Sequence, residues 1–376
     1  MDHRLELDLS DESILVVNTG SHSIKIAVIE PDETVRDSIN IEEPPDSDQT
    51  ADKFESFLTG TGEITAVGHR FVHGGHKLTE HSVIDAKVRE ELSEAVPLDV
   101  MHMKPALRYL DRCRDVLPAA RHVACLDTAF HANMPEVAKT YPVPHEWRDK
   151  HGVRRFGFHG LSHAWAATQA GELLGRPTAE CSFVSVHLGG GASACTIRNG
   201  QSVWSSMGFS PLEGLMMSTR SGSIDPSIVL WLQQSVGLSP DDISEALHHR
   251  SGLLGLSDGL SGDTRVLVRA ARGGNASAQL ALDVFCLRTR QEIAAAAVSL
   301  ERLDGLIFTG EIGADQPEIR QGVTAGLGLL GIDTIVDLTQ ESDRVISSRF
   351  SKIPVVLVHP REDLQIAREV RKLLDH

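Results

Sequence analysis

A loop rich in glycine and hydroxyl side chains carries a single arginine, Arg220. It reads Gly-Phe-Ser-Pro-Leu-Glu-Gly-Leu-Met-Met-Ser-Thr-Arg-Ser-Gly over residues 208–222. Small residues let a phosphoryl group come close to the backbone, and a guanidinium group matches two phosphate oxygens at once. The pattern predicts an anion site, although a glycine-rich turn with a solvated arginine has the same composition.

Three further polar side chains stand among glycine or apolar residues. Arg70 lies in Gly-His-Arg-Phe-Val-His-Gly-Gly, His159 lies in Phe-Gly-Phe-His-Gly-Leu-Ser-His, and Asp127 directly follows an apolar run. Charged side chains are rarely buried unless they are paired, so these positions predict anion binding or catalysis. An ion pair between domains for Arg70 and a helix cap for Asp127 remain alternatives.

Glycine-rich turns follow three predicted strands, at 18–23, 189–193 and 309–313. Such turns present backbone N–H groups that hold phosphate oxygens, although each is also compatible with a plain tight turn. No GxxxxGK[ST] motif occurs, and no GxGxxG motif follows a strand, so a P-loop or a dinucleotide fold is unsupported. The histidine pairs at 69/73 and 159/163 lack the glutamate of HExxH, which disfavours zinc.

The composition of the 376 residues is that of an ordinary globular protein, with 41% hydrophobic and 23% charged residues. A net charge of −16 disfavours nucleic acid as a partner. No apolar run reaches the ~20 residues of a membrane helix, and the polar N-terminus does not resemble a secretory signal. The 5 dispersed cysteines lead us to expect a reducing cytoplasm.

Short apolar strands alternate with helical patterns, which predicts an α/β fold. The predicted strands cover 14–17, 24–29, 183–188, 192–197, 201–204 and 305–309, and the predicted helices cover 88–96, 103–113, 162–174, 226–236, 276–302 and 363–374. Ser162 is the expected cap of the third helix. The acidic, proline-containing segment 40–52 is interpreted as an exposed loop of unassigned role.

The same strand–turn–strand plan opens each half of the chain, at 13–30 and at 183–203, which indicates a duplicated domain. Two unrelated hairpins would give the same pattern. The expected domains are 1–150, joined by the C-terminal helix 363–376, and 151–362.

Taken in order, these motifs resemble the acetate kinase family of the acetate and sugar kinase/Hsp70/actin superfamily. The matching segments are 16–21, 68–75, 126–131, 156–163, 187–193, 207–226, 251–255, 308–313 and 362–369. The resemblance implies a two-domain duplicated actin-like, ribonuclease H-like fold with its active site in the interdomain cleft. It also implies Mg²⁺-dependent transfer (Mn²⁺ is the alternative) of the ATP γ-phosphoryl group to acetate, and a cytoplasmic homodimer without nucleic-acid or membrane partners.

The resemblance also implies roles for individual residues. The catalytic positions are Arg70, Asp127, His159 and Arg220, and the positions near the metal are Asn18 and Glu362. The acetate positions are Arg70, Val72, Phe158 and Pro211. The nucleotide or phosphate positions are Lys25, His187, Leu188, Gly189, Gly190, Gly191, Asp263, Thr264, Arg265, Gly310, Glu311, Ile312 and Gly313. Acetate is already ionised at pH 7, so Asp127 is expected to orient an arginine or a metal-bound water rather than to act as a base.

The chain departs from the family pattern mainly on the nucleotide side. Gly190 replaces an asparagine, Glu311 replaces a glycine, and Asp315 replaces an asparagine. The added carboxylates are expected to weaken binding of a phosphate chain. A relative that uses pyrophosphate or another donor, a kinase for a slightly larger carboxylate, and a non-catalytic nucleotide switch therefore remain alternatives.

Overall fold

The computed structural model describes residues 12–20, 23–335, 338 and 341–375. Ser21 and His22, in the middle of the predicted turn 18–23, lie outside the described residues. The chain packs into two compact units, one formed by residues up to 132 together with those from 361 onward, the other by residues 133–360. The functional domain limits 1–150 and 151–362 stay predictions.

The first unit contains one sheet and four α-helices among its described residues. Its elements are β1 (Ile14–Thr19), β2 (Ile24–Ile29), β3 (Val35–Ile41), α1 (Asp48–Gly60), β4 (Ala66–Phe71), β5 (Ser82–Val83), α2 (Ala86–Glu94), α3 (Val100–Val116), β6 (Arg121–Leu126) and, from the C-terminal end, the helix Glu362–Leu374. The sheet has the order β3-β2-β1-β4-β6-β5. Strands β1, β4 and β6 are parallel, whereas β2, β3 and β5 join the sheet antiparallel to their neighbours.

The second unit contains the remaining elements. These are α4 (Glu136–Lys139), α5 (His145–His151), α6 (Gly160–Leu173), β7 (Ser182–Leu188), β8 (Ala192–Arg198), β9 (Gln201–Ser205), α7 (Pro226–Trp231), α8 (Pro240–His249), α9 (Gly252–Leu256), α10 (Thr264–Arg272), α11 (Ala276–Ala297), β10 (Gly305–Thr309), α12 (Gly310–Asp315), α13 (Pro317–Thr324), β11 (Arg344–Val345) and β12 (Val355–Leu357), so the C-terminal helix of the first unit is α14.

The sheet of the second unit repeats the plan of the first. Its order is β11-β12-β10-β7-β8-β9. An antiparallel meander, β7-β8-β9, is followed by the parallel strands β10 and β12 and by a short antiparallel edge strand, β11. In the first sheet, β1-β2-β3 form the antiparallel meander, β4 and β6 are the following parallel strands, and β5 is the short antiparallel edge strand. The duplication indicated by the two strand–turn–strand patterns is therefore confirmed.

The predicted helices are present, and most of their ends shift by a few residues. The helix expected at 226–236 has α-helical bonding only over Pro226–Trp231 and continues as a π-helical turn, Leu232–Val236. The helix expected at 276–302 ends at Ala297. Residues 298–302 read Val-Ser-Leu-Glu-Arg and contain no glycine or proline to mark the helix end, which sequence patterns do not fix to within a few residues.

The interpretation of 40–52 as an exposed loop was wrong at both ends. Residues up to Ile41 belong to β3, and α1 begins at Asp48. Ser47 caps this helix by accepting a hydrogen bond from the Thr50 N–H, as N-cap serines do. Phe54 and Leu58 are buried, and this apolar face holds the helix against the sheet.

No helix among the described residues is long and apolar enough to cross a membrane.

Candidate active site

Four polar side chains of the first unit meet at one edge of its sheet. Arg70 donates two hydrogen bonds to Asp127, from Nε to Oδ1 at 3.1 Å and from Nη2 to Oδ2 at 2.6 Å. Its Nη1 donates to Asn18 Oδ1 at 3.0 Å, and Asn18 Nδ2 donates to Glu362 Oε2 at 3.0 Å. We call these residues the first-unit cluster. A two-pronged contact of this kind fixes the plane of the guanidinium group.

The sheet topology explains why these four residues converge. The parallel strands β1, β4 and β6 are neighbours, so their carboxyl ends lie at the same edge. Asn18 and Arg70 stand near the ends of β1 and β4, and Asp127 is the first residue after β6. Glu362 opens α14, which crosses β4 closely. A Cβ atom at Gly68 would lie only 2.4 Å from Cγ2 of Ile366, so this approach requires glycine.

The surrounding charges keep Arg70 protonated. Burial by itself lowers the pKa of this guanidinium, but the carboxylates of Asp127 and Glu362 outweigh burial and raise the pKa. The side chain of Arg70 is 13% exposed, against 1% for that of Asp127. Asp127 is therefore the buried partner of this fixed positive charge, and the carboxylate of Glu362, 16% exposed, lies 3.7 Å from Arg70 Nη1.

A second set of predicted residues meets in the second unit. His159 and His187 stack with ring centroids 4.3 Å apart. A Cβ atom placed on Gly191 would lie 3.1 Å from His159 Nε2 and 3.6 Å from Arg220 Nη1. Arg220 is half-buried, and its Nη1 donates to the carbonyl oxygen of Pro211 at 3.2 Å. The glycine turn after β7 is therefore bordered by an imidazole and a guanidinium group.

His159 adopts a left-handed backbone with φ 57° and occupies the position before the first residue of α6. Left-handed backbone in a residue other than glycine stores strain and occurs often at functional sites. The expectation that Ser162 caps this helix was wrong. Ser162 is buried one turn further along, and its Oγ forms a hydrogen bond of 2.8 Å with Nδ1 of His187.

The nucleotide positions also lie close together in the second unit. Because β7 and β10 are parallel neighbours, the turns that follow them are adjacent. A Cβ atom on Gly310, which has φ 80°, would lie 2.4 Å from the carbonyl oxygen of Leu188, so only glycine fits there. A pocket of about 280 Å³ opens at this edge. Its lining is Gly190, Ser218, Gly262, Asp263, Thr264, Arg265, Glu311, Ile312, Asp315 and Gln316.

The lining of this pocket is acidic. It contains the carboxylates of Asp263, Glu311 and Asp315 against the single guanidinium of Arg265. Arg265 is itself paired with Asp263, Nη2 to Oδ2 at 2.8 Å. That hydrogen bond raises the pKa of Arg265, and Glu311 and Asp315 add to the rise. A phosphate chain entering the pocket would meet a surplus of negative charge.

The remaining predicted positions are distributed between the units. Lys25 is exposed on β2, and Val72 is buried just after β4. In the second unit, Phe158 is buried beside His159, Pro211 is half-buried, and the pocket lining does not include Leu188, Gly310 or Gly313. Their assigned roles stay predictions.

Sequence reasoning missed three supporting side chains. Asp99 Oδ1 lies 2.9 Å from His102 Nδ1, and the charges of this pair act on Arg70 and Asp127. Arg320 is fully buried, and its Nη1 donates to the carbonyl of Gly313 at 2.8 Å, which braces α12. An arginine spaced a few residues after a glycine motif was the available signal for Arg320; nothing in the pattern marks Asp99.

The duplicated two-sheet α/β topology is that of the actin-like class, and the guanidinium groups of Arg70 and Arg220 suit a phosphotransferase. The model of the acetokinase family matches residues 49–368. An acetate kinase from Caldanaerobacter subterraneus subsp. tengcongensis is 40% identical over 86% of this chain and 81% of its own length. The structures of a propionate kinase from Francisella tularensis (31% identity) and of Porphyromonas gingivalis acetate kinase (33% identity) each superpose with a TM-score of 0.87, over 96% of this chain and 99% of theirs.

The chain therefore belongs to the acetokinase family, whose members transfer a phosphoryl group to a carboxylate. The resemblance drawn from the motifs is confirmed. The individual residue roles are not tested by these similarities.

The contacts of the glycine turn predict a difference between two single substitutions. Gly191→Ala should lower kcat strongly, because the added methyl group meets His159 at 3.1 Å and Arg220 at 3.6 Å. Gly328→Ala is the matched control, since no heavy atom lies within 4 Å of its Cβ position and Gly328 lies outside the glycine turn and the pocket. Steady-state kinetics of both purified variants check this, and equal losses would show that the turn does not hold these side chains by close contact.

Proposed function

We propose that this protein is a reversible acetate kinase, which transfers the γ-phosphoryl group of ATP to acetate and yields acetyl phosphate and ADP. The observation that carries the proposal is the Arg70 guanidinium, 13% exposed and fixed at the sheet edge by two hydrogen bonds to Asp127. Membership of the acetokinase family supports the same reaction.

On the acceptor side, Arg70 binds and orients the carboxylate of acetate. Acetate has a reference pKa near ~4 and is ionised at neutral pH, so its oxygen attacks without a base. Asp127 is committed to Arg70 by two hydrogen bonds and acts as a positioning residue. Val72, Phe158 and Pro211 are the proposed contacts of the methyl group.

On the donor side, the N–H groups of Gly190 and Gly191 hold phosphate oxygens, and Gly189 shapes the turn because its N–H donates to the Gly191 carbonyl at 2.9 Å. Arg220 and His159 stabilise the charge that spreads over the equatorial oxygens of the phosphoryl group in the transition state. The transferred group passes from the terminal phosphate oxygen of ADP to an acetate oxygen, so one P–O bond breaks as another forms. Lys25, His187 and Leu188 are further proposed nucleotide contacts.

The oxygens of Asn18 and Glu362 suit a small hard cation, because Mg²⁺ prefers carboxylate and amide oxygens and retains several waters. In the structure Asn18 Nδ2 donates to Glu362 Oε2 at 3.0 Å and Asn18 Oδ1 accepts from Arg70 Nη1 at 3.0 Å, so a bound ion would replace these two hydrogen bonds. Mg²⁺ is the proposed ion, with Mn²⁺ as the alternative, and it would supply charge neutralisation for the phosphate chain.

The acidic lining of the pocket affects the choice between ATP and pyrophosphate as the phosphoryl donor. Its 280 Å³ can hold a nucleoside, but Glu311 and Asp315 oppose an additional anionic group. ATP remains the proposed donor because the relatives that match are acetate kinases over most of the chain. Pyrophosphate is the second candidate, and the negative lining is the observation that favours testing it.

The proposed function predicts acetyl hydroxamate when the protein is incubated with acetate, ATP, Mg²⁺ and hydroxylamine. The assay is run with acetate and with propionate, and with ATP and with pyrophosphate, each with and without EDTA. Product from ATP and acetate that EDTA abolishes supports the proposal. Product from pyrophosphate but not from ATP would show that pyrophosphate is the phosphoryl donor. A preference for propionate would show that the acceptor is a larger carboxylate than acetate. Tight ATP binding without any product would indicate a nucleotide switch.

Removing the charge of Glu311 should improve nucleotide binding. One like charge at ~4 Å from a phosphate costs about 1 kcal/mol when water screens it as in bulk solution, so Glu311→Gln should lower the KM for ATP at least roughly fivefold. Glu311→Gly should act in the same direction. Glu318→Gln is the matched control, because Glu318 pairs with Arg272 outside the pocket. An unchanged or higher KM in both variants of Glu311 would refute the repulsion.

The proposal includes a homodimer in the cytoplasm. Six apolar side chains between Ile224 and Leu238 are exposed, including Trp231 at 58%, and exposed apolar patches commonly mark interfaces. All five cysteines are unpaired and buried, as suits a reducing compartment. A monomer mass by sedimentation, or recovery of the protein outside the cytoplasmic fraction, would contradict these two points.

A further inference from the structure

A chain of hydrogen bonds runs from the proposed catalytic histidine into the core of the second unit. His159 Nδ1 lies 2.9 Å from Ser193 Oγ, and the same oxygen lies 2.8 Å from His163 Nε2. His163 Nδ1 then lies 2.9 Å from Ser185 Oγ. Ser193, His163 and Ser185 are each 0% exposed. We call these three residues the serine–histidine relay.

The positions of the relay follow from regular structure. His159 and His163 are four residues apart across the first turn of α6, and the His163 N–H donates to the His159 carbonyl at 2.9 Å. Ser185 and Ser193 stand on the antiparallel strands β7 and β8, on either side of the glycine turn. The relay therefore joins three elements that also carry the proposed phosphate-binding groups, and all of it lies within the second unit.

The donors and acceptors of the relay are coupled. A neutral imidazole has one N–H and one bare nitrogen, and a serine hydroxyl donates only one hydrogen. If Ser193 donates to His159 Nδ1, its oxygen accepts from His163 Nε2–H. His163 Nδ1 is then bare and accepts from the Ser185 hydroxyl. Two directions satisfy every bond: this one leaves the proton of His159 on Nε2, and the reverse one, in which His159 Nδ1–H donates to Ser193, leaves it on Nδ1. The surroundings of His159 Nε2 decide between them.

The nitrogen of His159 that does not contact Ser193, Nε2, faces the glycine turn that is proposed to bind phosphate. Nε2 borders Gly191 in the turn that is proposed to hold phosphate oxygens. A bare nitrogen there would repel an anion, whereas an N–H donates to it. Arg220 Nη1 borders the same glycine, and its positive charge disfavours a second cation on His159. A neutral His159 with Nε2–H fits both neighbours.

We propose that the serine–histidine relay is the positioning device for His159, which it holds neutral with its proton on Nε2 for donation to the transferring phosphoryl group. The inference rests on the proposed function for the identity of the acceptor. The relay residues do not touch the substrate; they act through His159. Their removal therefore lowers kcat and alters the tautomer of His159 while substrate affinity changes little.

The tautomer is read directly by ¹H–¹⁵N NMR of the full-length protein labelled with ¹⁵N-histidine. The signals of His159 are identified by their loss in His159→Gln. The expected wild-type spectrum shows the neutral Nε2–H form. Ser193→Ala should convert part of it to the Nδ1–H form and lower kcat by roughly 10–100-fold, the usual effect of removing a partner that orients a functional histidine.

Two variants of His163 separate the relay from a packing role. His163→Gln keeps an N–H donor for Ser193 and should retain the tautomer and most of kcat, whereas His163→Leu should lose both. Cys195→Ala is the control on the same face of β8, since Cys195 bonds to Ser202 and lies outside the relay. Circular dichroism confirms that each variant is folded.

The outcomes distinguish the relay from the proposed function. A wild-type spectrum with the proton on Nδ1, or a Ser193→Ala variant with unchanged tautomer and kcat, overturns the relay even if the protein is an active acetate kinase. The relay is supported if the wild type shows the Nε2–H form and both Ser193→Ala and His163→Leu change it. If no phosphoryl donor gives product in that case, only the proposed function fails.

Discussion

The constraint on which this site depends is electrostatic, because both reactants of the proposed reaction are anions and the chain itself carries a net charge of −16. Fixed local positive charge must offset their repulsion. In the first unit that charge is Arg70, whose direction is set by two hydrogen bonds to a buried carboxylate. In the second unit it is Arg220, beside a glycine turn and a histidine.

The fold places these groups by repeating one device. In each unit, parallel strands end at a common sheet edge, and several of the proposed site residues lie at or just beyond the strand ends. Gly68 leaves room for the Ile366 side chain of α14, the helix that begins with Glu362, and Gly310 leaves room for the backbone of Leu188. A Cβ atom at either glycine would lie 2.4 Å from its neighbour. The scaffold therefore supports the site through a few contacts in which a single methyl group would clash.

Much of this arrangement could be predicted from the sequence, because strand patterns, glycine turns and isolated arginines are local signals. Asp127 was recognised from the apolar run before it, and its partner Arg70 from its glycine-rich surroundings. Ser185 and Ser193 were not, since a buried serine looks like any small core residue until its neighbour in space is known. Ser162 was expected only as a helix cap, and His163 only as part of a histidine pair. The segment 40–52 was interpreted as a loop because of its acidic residues and prolines, and Ser47 was not recognised as the N-cap of α1. Side-chain networks that join distant segments leave no periodic pattern, so only the structure reveals them.

The central claim is that a fixed guanidinium charge, rather than a base, makes the transfer possible. The most direct measurement is kcat for Arg220→Ala, with Arg198→Ala, an exposed arginine at the end of β8, as the control. The account predicts that Arg220→Ala folds normally by circular dichroism and loses about 10³–10⁵ in kcat, that Arg220→Lys recovers part of the loss, and that Arg198→Ala behaves as wild type. A folded Arg220→Ala protein with a near-normal kcat would contradict it.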